Sequence, residues 1–218
     1  NIKKVLPDVI FSVNGESHMP YGYDELTVLV NSAFHDYASE VDYISSFTSR
    51  PKPIMLSEPM LYTHISGVYT FFTGEANINT NYPDFLIPYT MAHELSHQRG
   101  IAREDEANMV AFLVCLKSRN AYVKYSGLTN MLSYLTSALY KADKDQYNEL
   151  MAKYYPDQIK KEMKAYSIFF EKYRESVANK VTDAVNNTFL QSQGQSQGTK
   201  SYGLVVDLTV AYYKSISN

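Results

Sequence analysis

The chain has 218 residues, 45% of them apolar and 20% charged, with a formal charge of −3; that balance fits one globular domain with a substantial core. The slight negative charge and the lack of a Lys/Arg cluster argue against a nucleic-acid surface and against a polybasic membrane patch. Cys115 is the single cysteine, so no intrachain disulfide can form, and its place in an apolar run reads as a buried thiol rather than a nucleophile.

No stretch approaches the roughly 18 uninterrupted apolar residues that span a bilayer. The start, Asn1-Ile-Lys-Lys-Val, carries neither a methionine nor a signal-peptide apolar core, which leaves an anchor elsewhere in the natural protein open. Residues 1–23, with Pro7, Gly15, Pro20 and Gly22, are turn-rich. From Asp24, apolar residues at 3–4 spacing (Leu26, Leu29, Val30, Ala33, Phe34, Tyr37, Val41, Ile44) predict a long helix to about Ser46, ended by Arg50-Pro-Lys-Pro53. The segment 54–82 reads as a small antiparallel sheet built from Ile54-Met-Leu56, Gly67 to Thr73 and Glu75 to Asn79. Pro88 then suits the first turn of a following helix. After Gly100 the pattern is helical: 103–118, a helix marked by Leu128, Leu132, Leu135 and Leu139, another over 157–178, and a last one over 202–216. The Gln/Gly/Ser stretch 191–198 reads as a loop. The fold class expected is α+β, mostly α, in one domain over 1–218.

The helix after Pro88 carries His93-Glu94-Leu-Ser-His97. Residues i and i+4 share a helix face, so His93 and His97 can present two imidazoles to one ion. Glu94, beside the first ligand, is placed to act on a water at that ion. The bland alternative is two surface histidines flanking a solvated glutamate. The apolar run from Phe85 to Ala92, which implies a buried helix, counts against it, as does the acidic cluster just downstream.

A catalytic zinc site needs a third protein ligand. Gly100 stands where a chain leaving a helix needs positive φ. The third histidine of the metzincin pattern would fall at 103, where Arg103 cannot ligate. Glu104, Asp105 and Glu106 remain. Glu104 shares a helix face with Ala107, Asn108 and Ala111, small enough for close approach of the first helix, whereas Glu106 shares one with Met109, Val110 and Leu113 and would point into core. Glu104 is therefore ranked ahead of Glu106 and Asp105, and Asn108 is expected to hydrogen-bond a ligand histidine. All three acids also suit the positive end of a helix without any ligand role.

Glu104-x-x-Ala107-Asn108 followed by Ala111 resembles the glutamate helix of gluzincin-type peptidases, in which the first glutamate is the third zinc ligand. Their two motifs are usually much farther apart than His97 and Glu104 are here. A closer resemblance rests on Ser57-Glu-Pro-Met, Thr73-Gly-Glu-Ala-Asn-Ile-Asn, the run from His93 to Asn108, and Ser201-Tyr-Gly-Leu-Val-Val-Asp. These are similar to an uncharacterised bacterial family with N-terminal transmembrane helices before a zincin domain. The resemblance implies a zincin-like fold and a membrane-anchored native protein, with the extracytoplasmic side as the working expectation.

The function expected is a zinc-dependent metallopeptidase acting on a peptide or protein substrate, with Zn2+ held by His93, His97 and Glu104 and with Glu94 as general base. Thr70 to Asn79 precedes the histidine helix, where zincin folds place a strand that pairs with substrate backbone, with a plain hairpin strand as the equal alternative. Tyr202 and His64 are candidate oxyanion donors, each with plain packing as its competing role. His18 and His35 read as structural or exposed. The rivals are a catalytically silent zinc-binding sensory domain and a helical interaction domain without metal.

Overall fold

A computed structural model describes residues 1–173 and 202–217, and these form a mostly helical α+β fold. The first 22 residues hold more structure than their turn-rich composition suggests: a short helix α1 (Ile2–Val5), then a two-residue hairpin of β1 (Ile10–Phe11) and β2 (Ser17–His18). Helix α2 (Tyr23–Ala38) follows and stops well short of Ser46. Val41 and Ile44 still reach the core, but from irregular backbone. The carbonyls of Ser45 and Phe47 are taken by the Arg99 guanidinium, at 3.1 and 2.7 Å. Asn31 clasps Ser49 in both directions, at 2.8 Å each. Tertiary partners thus hold groups that a longer helix would have bonded to itself.

The sheet is mixed rather than antiparallel. β4 (Gly67–Thr70) pairs antiparallel with β5 (Glu75–Ile78), as expected, but β3 (Lys52–Pro53) runs parallel to β5 on its other side. Pro53, which lacks an N–H, is tolerated on that edge. Met55 and Leu56 lie exposed beyond β3 and lead into a short helix α3 (Ser57–Leu61). Among the described residues β4 is the opposite edge of the sheet.

Helix α4 (Ile87–Gln98) carries the motif, with Pro88 in its first turn, and nine of its twelve residues are buried. α5 (Glu104–Lys117) packs against α2, α4, α6 (Ala121–Ala142) and α9 (Tyr202–Ser217), which makes it the central helix. The start of α6 is fixed by the Asn120 side chain, which accepts from the Val123 N–H at 3.0 Å. The leucine pattern marked the middle of α6 but not α7 (Lys144–Lys153), which Asp143 caps by accepting from the N–H groups of Asp145 and Gln146. α8 (Asp157–Glu171) ends short of the 178 expected for it, with Lys172 and Tyr173 already in a turn; the expected loop 191–198 lies outside the described residues.

Candidate metal centre

The sequence builds the site by reversing the chain within six residues. Gly100, at φ +93°, lets α4 end in a Schellman turn: the Ile101 N–H reaches the Ser96 carbonyl at 3.2 Å and the Gly100 N–H that of His97 at 3.0 Å. The chain then re-enters a helix at Glu104, facing the helix it has just left. The Tyr89 hydroxyl fastens the two by donating to the Asn108 backbone carbonyl at 3.1 Å, with the Asn108 Oδ1 at 3.0 Å.

Three side chains meet in the resulting corner. The Nε2 atoms of His93 and His97 are 3.0 Å apart, and the Glu104 carboxylate lies 3.2 Å from the first and 3.3 Å from the second. All three are largely shielded, with side-chain exposures of 14%, 9% and 19%. A tetrahedral zinc about 2.0–2.1 Å from each ligand atom would set those atoms about 3.3 Å apart; here the imidazole nitrogens are 3.0 Å apart and each faces a different Glu104 oxygen, at 3.2 and 3.3 Å, close to that spacing, and two imidazoles with one carboxylate are a donor set that suits zinc. His97 is pre-oriented for this, since its Nδ1–H donates to the Ile101 carbonyl at 2.7 Å and turns Nε2 towards the corner. The His93 Nδ1 is buried with no hydrogen-bond partner among the described residues.

Burial by itself would raise the Glu104 carboxyl, but hydrogen bonds to both imidazoles hold it well below the usual carboxylate range. Burial likewise works to lower His97, and the facing Glu104 outweighs it and raises the imidazole. The corner is therefore built for an anion opposed by positive charge. Glu94 is buried beside it, and desolvation raises its carboxyl despite the pull of His93, His97 and the Tyr69 N–H that bonds it.

Of the residues singled out from sequence, His93, His97 and Glu104 are brought together with Glu94 adjacent in the chain. Asp105 is not at the site; its carboxylate is buried against Arg103 at 2.8 Å. Glu106 does not point into core: it is half-exposed and 3.4 Å from Arg103. Asn108 serves Tyr89 and not a histidine, because the tyrosine comes between the helices one turn away from the ligands. The His64 ring packs 5.1 Å from that of Phe170. The Tyr202 side chain lies outside the described residues. Cys115 is buried, as expected, and burial pushes its thiol well up.

Two contributors were missed. Tyr69 on β4 stacks on His97 with ring centroids 6.2 Å apart. Gly67, also on β4, leaves room for the Glu94 carboxylate, since a Cβ there would come within 2.5 Å of Glu94 Oε1. A glycine opening a short aromatic strand was the available signal of close approach.

Fold and site together define a mostly helical α+β protein whose His-Glu-x-x-His helix receives a third candidate ligand from the start of the next helix. No curated protein and no solved structure matches the chain. The chain belongs to the family described as protein of unknown function (DUF3810), whose profile matches residues 5–210.

Proposed function

We propose that the chain is the zincin-like peptidase domain of a membrane-anchored protein, hydrolysing peptide bonds with zinc held by His93, His97 and Glu104. The observation that carries this reading is the convergence of those three ligand atoms beside a buried glutamate. Held by His93, His97 and Glu104, zinc would supply Lewis acidity toward a water and toward the carbonyl to be attacked. Glu94 takes the proton of the attacking water on its carboxylate and passes it to the leaving amine nitrogen. Tyr69 and Gly67 keep the carboxylate in place, the one by a backbone N–H and the other by having no side chain.

Membrane anchoring rests on the resemblance to proteins with N-terminal transmembrane helices; among the described residues no helix is long and apolar enough to cross a bilayer. Glu94→Gln tests the mechanism. The variant is expected to bind one zinc per chain and to cleave no member of a broad peptide library that the unaltered protein cuts. Cleavage retained by Glu94→Gln would rule out the assigned base.

A further inference from the structure

We propose that Phe71 and Phe72 form an apolar ledge that receives a large apolar side chain of the substrate, on the N-terminal side of the bond to be cut. The proposal rests on the peptidase reading above and adds the substrate class. The two phenylalanines occupy the turn between β4 and β5, their rings 3.8 Å apart and 54% and 85% exposed. Neighbouring exposed aromatics are unfavourable in water unless something covers them part of the time.

The occupant follows from where the turn is tied. Gln98, the last residue of the motif helix, donates its side-chain N–H to the Gly74 carbonyl at 2.6 Å. This fixes the turn to the end of α4 that carries His97. β4 itself starts at Gly67 against Glu94, passes the Tyr69 ring stacked on His97, and ends at Thr70 next to the phenylalanines. No strand pairs with its outer edge among the described residues; apart from the Tyr69 N–H, which bonds Glu94, that edge is where an extended peptide can add along this path. A peptide added antiparallel, the more stable arrangement, runs from the phenylalanines towards Glu94. At about 3.3 Å per residue, its residues roughly two to four positions before the cleaved bond lie beside the two rings.

The test uses the zinc-loaded full chain carrying Glu94→Gln, so that bound peptide is not consumed. Binding of two fluorescein-labelled octapeptides is measured by anisotropy, one with Phe-Leu and one with Ser-Ser in its N-terminal half on an otherwise Gly/Ala background. The Phe-Leu peptide is expected to bind at least about tenfold more tightly, as partial burial of a large apolar side chain requires. Adding Phe71→Ser and Phe72→Ser should bring that ratio close to one while zinc content and thermal midpoint stay unchanged. A ratio that survives the double substitution, or no preference at the outset, overturns the ledge. So does loss of binding to phosphatidylcholine vesicles on substitution with the peptide ratio unchanged, which would make the turn a membrane contact. A chain that binds no zinc yet shows the Phe71/Phe72-dependent preference refutes the peptidase reading and upholds the ledge.

Discussion

Glu104, Asp105 and Glu106 are consecutive acids in the first turn of one helix, and their surroundings separate them. Glu104 faces two imidazoles, Asp105 is buried against Arg103, and Glu106 is half-exposed with only a weak Arg103 contact. Glu104→Gln is expected to weaken zinc binding by more than the roughly 10–100-fold that loss of an outer-shell partner costs. Glu106→Gln should leave it within a factor of two or so, because an exposed pair contributes about 0–1 kcal/mol to anything. Competition with a chelating dye reads both. Equal effects would mean that the carboxylate at the site had been misassigned. Glu104 could be read from sequence because Ala107 and Ala111 mark a close-approach face. The orientation of Glu106 could not, since α5 is buried on nearly every side and apolar neighbours no longer single out one face.

Between elements, the contacts that position the site depend on small residues and buried polar ties. α6 approaches α5 so closely that a Cβ on Gly127 would sit 2.4 Å from the Cβ of Cys115. Gly127→Ala is expected to cost about 1–3 kcal/mol through overpacking, lowering the thermal midpoint by roughly 2–12 °C. Gly22→Ala, with nothing within 4 Å but at the N-cap of α2, should lower it by less, and a scanning calorimeter separates the two. α8 is held to the N-terminal hairpin by Glu162, which accepts from the Ser17 N–H at 2.9 Å and from the Tyr125 hydroxyl. Desolvation pushes its carboxyl up to about 7 despite the Ser17 hydrogen bonds. A carboxyl bound more tightly to its proton in the folded state stabilises fully below its ordinary 4.5 and loses that stabilisation as pH rises to about 7. The loss is on the order of 3 kcal/mol. Urea midpoints should therefore fall between pH 5 and 8 for the natural chain and fall less for Glu162→Gln; parallel pH profiles would refute the assignment. These elements also show where sequence patterning stops. α4 and α5 were legible from motif, proline and glycine. The end of α2 was not, because Arg99, the residue that claims the Ser45 and Phe47 carbonyls, lies far along the chain.

Across the molecule, α5 joins the layers, packing on α2, α4, α6 and α9, while the small sheet closes the open side of the motif helix. The mostly helical α+β class was readable because long helices carry strong periodicity. The parallel strand β3 and the N-terminal hairpin were not, since two-residue strands carry no period and exist only through pairing across the fold. The same holds for the site: the local motif named two histidines, and the turn at Gly100 supplied the third group through geometry that a single sequence states only in outline. Anomalous scattering at the zinc edge from crystals of the zinc-loaded chain tests this most directly. One peak bounded by His93 Nε2, His97 Nε2 and the Glu104 carboxylate is expected; a peak elsewhere, or none at that corner, would contradict the assignment of these three ligands.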